Sequence, residues 1–352
     1  MIFSMSHPPI TQSINRKYWE NFSEEELEDY VEHLFREARE YGFPYHQLKP
    51  AHKKELEKLR QKDYLKFIED GKINQHMGGL GFLWSFFPHA WEVKCGNGKT
   101  PMENFLDDDS LKKVIRKRLA SSWAGNFSLS MLYKSLRMFN GAQSVSNFRP
   151  TSAAAIYSYV SKKYFDGRDL RVLDTSAGWG GRMLGAWLSD KVYYYAGIEP
   201  SKKSFRGLQD VTAYICKNFR FMSTRLSIAG SETSFLEDDD VKFDFIFTSP
   251  PYYDTEKYSN EPSQSWMKYE TYDEWLNGFM RKTCENIKSV CHSKSVVAWN
   301  VANTKTAPNL VKDVNNIMLE LGFYRAEQLD YLMSGRPQNS KYKFEPVLFY
   351  SL

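Results

Sequence analysis

Thr248-Ser249-Pro250-Pro251-Tyr252 closes the run Phe243-Asp244-Phe245-Ile246-Phe247. Two successive prolines stiffen the backbone and remove two N–H donors, so the carbonyls beside them stand as fixed, unshared acceptors. Ser249 adds another acceptor, and Tyr252 offers a flat face on which a ring can stack. That set is suited to holding a planar ring by its exocyclic amino group. A bare Ser-Pro-Pro-Tyr is more often only a strand-ending turn, so the chemistry depends on what accompanies it.

What accompanies it lies upstream. Arg171-Val172-Leu173-Asp174-Thr175-Ser176-Ala177-Gly178-Trp179-Gly180-Gly181-Arg182 reads as a short strand, an acid, a glycine-rich turn and the start of an apolar helix. The glycines permit a tight turn and close approach to a ligand. No Lys-Ser/Thr follows them, so the segment is not a P-loop. Asp174 would repel a pyrophosphate, which argues against a dinucleotide and for a ligand bearing positive charge or donor groups, such as an amino-acid ammonium. Val192 to Ile198 reads as the next strand. It ends in Glu199, a carboxylate able to accept both hydroxyls of a ribose. Leu226 to Glu232 reads as a third strand and turn, with Glu232 among the polar groups placed to meet an adenine edge.

In this order the elements resemble the S-adenosylmethionine-dependent amino-methyltransferases, which act on the exocyclic nitrogen of cytosine or adenine in DNA. The resemblance covers roughly residues 147–352 and rests on Asp174 through Arg182, Glu199 and Thr248 to Tyr252. It implies a doubly wound, Rossmann-like α/β sheet of seven strands, the last antiparallel, and S-adenosyl-L-methionine as cofactor. The implied cofactor residues are Thr151, Ser152, Asp174, Ser176, Ala177, Gly178, Gly180, Glu199, Glu232 and Thr248. Thr151 and Ser152, at a helix N-terminus, would hold the cofactor's carboxylate. Ser249, Pro250, Pro251 and Tyr252 would be catalytic, and Tyr253, Tyr258 and Trp266 would meet the substrate base. The serine form of the tetrad points to N4 of cytosine first and N6 of adenine next. Trp179 between Gly178 and Gly180 departs from the family's usual turn. The stretch through Tyr258, Trp266 and Tyr272 is similar to methyltransferase-like proteins of bacteriophages and large viruses. Alternatives within reach of the same motif are an RNA base methyltransferase, a protein glutamine methyltransferase (which uses Asn-Pro-Pro-Tyr), and a cofactor-binding protein without turnover.

The rest of the chain must position these groups. Its 352 residues suffice for a catalytic domain, expected over residues 121–352, and a mainly helical N-terminal domain over 1–120. Ser23-Glu24-Glu25-Glu26 is a capping box opening an acidic helix that Gly42 and Pro44 terminate. A second helix is expected over residues 53–70. Between Ser110 and Pro150 stand Lys112, Lys113, Arg116, Lys117, Arg118, Lys134, Arg137 and Arg149 with no Asp or Glu. Eight uncompensated positives, interleaved with Trp123, Phe127, Tyr133 and Phe139, read as a phosphate-binding surface for DNA or RNA, with Arg116, Lys117 and Arg118 at its centre. A solvated basic helix face is the plainer alternative. Arg336, Lys341 and Lys343 suggest a second basic loop. Residues 254–272, polar and aromatic, read as a lid over the substrate base. The four scattered cysteines lack a Cys-x-x-Cys pair, which argues against a zinc site or disulfide framework. No metal, signal peptide or membrane span is expected, and the thiols suggest a cytoplasmic or nuclear setting. The oligomeric state is left open.

Overall fold

The computed structural model describes residues 7–96, 98–121, 125–219, 222–233, 241–333 and 342–352. Trp123, Arg336 and Lys341 lie outside the described residues. The chain divides into two compact units, one from Met1–His46 with Pro88–Val145, the other from Gln47–Phe87 with Ser146–Leu352.

The larger unit is built on a nine-stranded sheet. In chain order its strands are β1 Ile68–Glu69, β2 Lys72–Ile73, β3 Leu170–Asp174, β4 Val192–Ile198, β5 Ser223–Ser227, β6 Phe243–Thr248, β7 Cys291–Asn300, β8 Tyr324–Leu332 and β9 Phe344–Ser351. They lie side by side in the order β1-β2-β8-β9-β7-β6-β3-β4-β5. Strands β5, β4, β3, β6 and β7 run parallel, and β9 runs antiparallel between β7 and β8. This is a doubly wound, Rossmann-like α/β sheet: β3 to β9 are seven strands with the last one antiparallel, and β1 and β2 add two more beyond β8. The order reverses at β3, where the chain moves from one half of the sheet to the other. Ligands in such sheets bind outside the carboxyl ends of the strands at that reversal.

Strand β6 is buried along its whole length, as parallel strands covered on both faces must be. Leu173, Ile246, Val297, Trp299 and Leu348 join one core cluster with Trp275, Met280, Ile287 and Val314 from the helices on that face. On the other face, the helix Pro150–Tyr164 lies against Gly181–Ser189. A β-carbon at Gly185 would come within 2.6 Å of the Pro150 carbonyl, so glycine lets the two helices approach.

Two expectations fail here. The domain boundary near residue 120 does not separate the units, because residues 47–87 belong with the larger unit and residues 121–145 with the smaller. The helix expected over residues 53–70 also ends early. It spans Pro50–Arg60, and Ile68–Glu69 then pairs with Lys72–Ile73 as a hairpin. Asp70 and Gly71 turn that hairpin with φ of 48° and 73°, the backbone an Asp-Gly pair favours. Strand β2 then pairs with β8, Lys72 opposite Asp330 and Ile73 opposite Tyr331. The β8–β9 pair is therefore interior to the sheet rather than its edge.

In the smaller unit Ser23 caps the helix Glu24–Tyr41 through the expected box, and Gly42 ends it at φ 85°. That helix buries Tyr30, Val31, Leu34 and Ala38 in a cluster with Leu111, Val114 and Ile115 of the helix Asp108–Ala120. No helix among the described residues is long and apolar enough to cross a membrane.

Candidate functional site

Strand order brings the two sequence motifs to one place. β3 and β6 are neighbours, so the turn after Asp174 and the ledge after Thr248 leave the same end of the sheet. They are joined at the root by a hydrogen bond from Thr175 Oγ1 to Thr248 Oγ1 (3.1 Å). Above them opens a cavity of about 1170 Å³, counting its mouth. Its walls include Ser176, Ala177, Gly178, Glu199, Glu232, Ser249, Pro250, Pro251, Tyr252, Tyr258 and Trp266, all expected from the sequence.

The glycine turn carries one wall. Gly178 and Gly180 sit at φ 53° and 74°, where a side chain is strained. Gly181, part of the glycine motif but not among the expected cofactor residues, cannot bear a side chain either, since its β-carbon would lie 2.0 Å from the Phe148 carbonyl oxygen. The segment Ser146–Arg149 thus packs on the turn, and Asn147 Nδ2 donates to the Trp179 carbonyl at 3.0 Å. Trp179 is itself buried between Trp84, Phe87 and Tyr258, with ring centroids 5.7–6.0 Å away. The unusual tryptophan is therefore a wedge that anchors the turn and touches the aromatic segment 254–272.

Glu199 stands one residue beyond β4. Its Oε2 accepts from the Gly178 N–H (2.9 Å) and its Oε1 from the Ser201 N–H (2.8 Å). Each oxygen keeps a second lone pair. Burial pushes this carboxyl up to about 7, against the pull of the two N–H donors, and Asp174 adds to the rise. It is the open carboxylate of the site.

Asp174 is not. It is fully buried, and Arg182 Nε and Nη2 clamp its two oxygens at 2.8 and 3.1 Å. Tyr195 Oη donates to it at 2.7 Å and the Ser176 N–H at 3.2 Å. A cofactor ammonium is not needed to satisfy this carboxylate, because Arg182 already does so; its work is to brace the turn. Thr151 and Ser152 are likewise buried, with their hydroxyls donated to the carbonyls of His76 and Asn74 (2.8 and 2.9 Å). They tie the helix start to residues 74–76 and do not line the cavity. Thr248 and Gly180 also support the wall from behind.

The ledge differs from its sequence picture in one informative way. The Pro251 carbonyl accepts from the Tyr253 N–H (2.9 Å) and the Tyr252 carbonyl from the Thr255 N–H (3.1 Å). The Pro250 carbonyl has no backbone N–H on it among the described residues, whereas the two carbonyls after it are taken. Ser249 Oγ lies 3.2 Å from Tyr252 Oη, which donates to the Asn300 carbonyl at 3.4 Å. Tyr253 takes the left-handed φ of 53°, rare for a bulky residue and a mark of a constrained turn. That twist turns its ring away from the cavity onto Tyr272 and Trp275, with Oη on the Glu270 carbonyl (2.6 Å). Tyr253 supports the ledge from outside.

The wall residues Asn300, Tyr331 and Glu345 carried no recognisable signal, and Arg149 and Gln264 were expected only within the basic segment and the 254–272 stretch. Glu232 Oε2, Gln264 Nε2 and Trp266 Nε1 are buried beside the cavity without a hydrogen-bond partner among the described residues. Buried polar atoms in that state mark a place where a polar ligand completes the bonding. Two acceptor carboxylates, an amide and an indole N–H around a glycine turn fit the hydroxyls, ring nitrogens and amino groups of a nucleoside bearing an amino-acid tail. S-adenosylmethionine has those groups.

Two residues of the basic segment pair with the acidic helix. Arg116 Nε donates to Glu28 at 2.7 Å, and Lys112 pairs with Glu32 at 2.7 Å. Arg118 is buried and donates to the Asn126 carbonyl (3.1 Å). Lys113, Lys117 and Lys134 are exposed. The expectation of eight uncompensated charges does not hold, because carboxylates some 80 residues upstream pack alongside.

No family model matches the chain, and no curated protein matches it. Among solved structures, similar chains include a magnesium protoporphyrin IX methyltransferase from Synechocystis PCC 6803 with bound SAM (13% identity, TM-score 0.39, 57% of this chain and 78% of that one). A putative RNA methyltransferase from Pyrococcus horikoshii is 16% identical, with TM-score 0.37 over 57% of this chain and 84% of that one. TrmN from Thermus thermophilus is 13% identical, with TM-score 0.38 over 56% of this chain and 48% of that one.

Proposed function

We propose that the protein is an S-adenosylmethionine-dependent methyltransferase acting on the exocyclic amino nitrogen of a base in DNA, N4 of cytosine first and N6 of adenine next. One observation carries the reading: the Pro250 carbonyl and the Ser249 hydroxyl face the same cavity as Glu199 and the Gly178 turn.

When bound, the cofactor supplies an electrophilic methyl group. The chain's own residues do the rest. Glu199 accepts the ribose hydroxyls, and Glu232 and Gln264 lie at hand for the adenine. The lone pair of an aromatic amine is delocalised into its ring, so the nitrogen is a poor nucleophile while flat. The Pro250 carbonyl and Ser249 Oγ accept its two N–H bonds and favour a pyramidal nitrogen. Both acceptors gain as the nitrogen acquires positive charge, which places their effect in the transition state. The methylated amine is acidic and sheds its proton afterwards, so no strong base is needed. Tyr252 stacks on the ring. A base within a duplex cannot reach such a recess, so the substrate is single-stranded or flipped out.

The test is incubation with labelled S-adenosylmethionine and duplex DNA, single-stranded DNA or RNA, followed by digestion to nucleosides. N4-methylcytosine in DNA is expected, falling at least about 100-fold in Ser249→Ala. Label in RNA alone would move the acceptor to RNA. Label in protein alone would overturn the nucleic-acid reading.

A further inference from the structure

The stretch expected as a lid over the substrate base is tied to the walls around Glu199 and Glu232. Ser263 Oγ donates to the Pro200 carbonyl at 3.0 Å, and the Lys202 N–H donates to Glu261 Oε1 at 3.2 Å. Both partners lie just past Glu199 at the end of β4. Farther along, Lys268 pairs with Glu232 Oε1, beyond the end of β5. Trp275 Nε1 donates to Ser265 Oγ at 3.1 Å and pins the stretch to the core. Residues 261–268 are thus fastened to the β4–β5 side of the cavity. Gln264 and Lys268 stand one α-turn apart, with the Lys268 N–H on the Gln264 carbonyl at 3.2 Å. Side chains at that spacing are neighbours, so the lysine that holds Glu232 Oε1 brings the Gln264 side chain beside the same carboxylate. Gln264 and Glu232 both line the cavity. Gln264 is 4% exposed, and its Nε2 and Glu232 Oε2 are each buried without a hydrogen-bond partner among the described residues. The Thr233 N–H, next in the chain, is spent on the Gly230 carbonyl at 3.1 Å and supplies no donor beside Glu232.

We propose that Gln264 and Glu232 together read the adenine ring of the cofactor, Glu232 Oε2 accepting from its amino group and Gln264 Nε2 donating to the adjacent ring nitrogen. An acceptor beside a donor is the complement of that edge of adenine, where an N–H adjoins a ring nitrogen carrying a lone pair. A 6-oxo purine presents the reverse, a carbonyl beside a ring N–H. It sets oxygen against the Glu232 carboxylate and hydrogen against the Gln264 amide. Polar atoms left unpaired in a buried wall are penalised more than a made bond is rewarded, so the pair selects as well as binds. The inference rests on the reading of the cavity as an S-adenosylmethionine site given above. It gives residues 261–268 to the cofactor, whereas the sequence placed them over the substrate base. Lys268 is a positioning residue: itself exposed, it fixes the Glu232 carboxylate through Oε1 and leaves Oε2 for the ring.

The full chain, without any acceptor, is titrated calorimetrically with S-adenosylhomocysteine and with its 6-oxo analogue, S-inosylhomocysteine. Wild type is expected to bind the adenosyl form about 100-fold or more tightly than the inosyl form. Gln264→Ala, and Gln264→Met, which keeps the length of the side chain without its donor, are each expected to weaken the adenosyl form about 10-fold. Both should narrow the preference between the two ligands. Lys268→Met should narrow it as well and Lys268→Arg restore it, a change in selectivity that a merely structural role would not produce. Equal affinity of wild type for the two ligands would overturn this inference alone. So would Gln264 variants that keep the adenosyl affinity and instead raise KM for the nucleic acid, which would return the stretch to the substrate. Failure of wild type to bind either ligand would overturn the S-adenosylmethionine reading itself.

Discussion

Asp174 and Glu199 stand at the carboxyl ends of adjacent parallel strands, and only one of them is available for chemistry. Asp174 is enclosed by Arg182, Tyr195 and the Ser176 N–H. Glu199 is held by two backbone N–H groups, keeps lone pairs to spare and borders the cavity. The same side-chain chemistry at equivalent places in the fold is thus closed off in one case and left facing the cavity in the other. What separates them is a single cation, Arg182, delivered by the first turn of the helix after the glycines.

The largest test removes that cation. Arg182→Met leaves a buried carboxylate unpaired, and breaking such a pair costs about 3–5 kcal/mol. Denaturant unfolding should show this loss, whereas an unchanged midpoint would mean that Asp174 is not the bracing group. Glu199→Ala should invert the pattern. Cofactor affinity by titration calorimetry should fall about 10- to 100-fold, the worth of charge-assisted hydrogen bonds, while the unfolding midpoint moves little. A loss of stability without loss of affinity would make the two carboxylates alike.

Acidity sharpens the contrast. The folded Glu199 carboxyl titrates at about 7, well above a free glutamate. Its proton therefore favours the folded state: this contribution is full below about pH 4.5 and is lost as pH rises through about 7. Cofactor affinity should run the other way, rising about 10-fold between pH 6 and 8 as the carboxylate ionises to accept the ribose hydroxyls. Glu199→Gln should flatten both curves; a pH-independent affinity in wild type would place the ribose elsewhere. The smallest effect is expected at Gly178→Ala. Nothing crowds a β-carbon there, the nearest atom being Ser176 O at 3.7 Å, so the cost is the left-handed φ alone, about 1–2 kcal/mol. Thermal unfolding should register it, with a modest rise in cofactor Kd as the N–H that fixes Glu199 shifts.

Much of this was legible beforehand because it follows from residues close in sequence. The strands at 170–174, 192–198 and 243–248 announce themselves as apolar runs, and the capping box at Ser23 needs only four residues. The Pro-Pro pair declares its missing donors wherever it sits. Elsewhere the sequence misled by omission. Asp70-Gly71 is a hairpin signal, but the helical spacing of Leu56, Leu59, Leu65 and Ile68 before it favoured a longer helix. The basic helix looked uncompensated because Glu28 and Glu32 lie far upstream. Thr151 and Ser152 sit at a helix start, as expected, yet residues 74–76 take their hydroxyls. Glu345 and Asn300 gave no signal, since a lone acid and a lone amide have no spacing to recognise.

The sequence by itself determined which backbone could turn, where N–H groups were missing and which runs had to be buried, since those follow from covalent structure and local sterics. Tertiary structure alone decided which polar group met which. Thr248 lies 74 residues after Asp174 in the chain but on the neighbouring strand. Hydrogen bonds act over about 3 Å, so only the order of strands in the sheet could assign Arg182 to Asp174, leave Glu199 open and bring Glu345 into the wall of the same cavity.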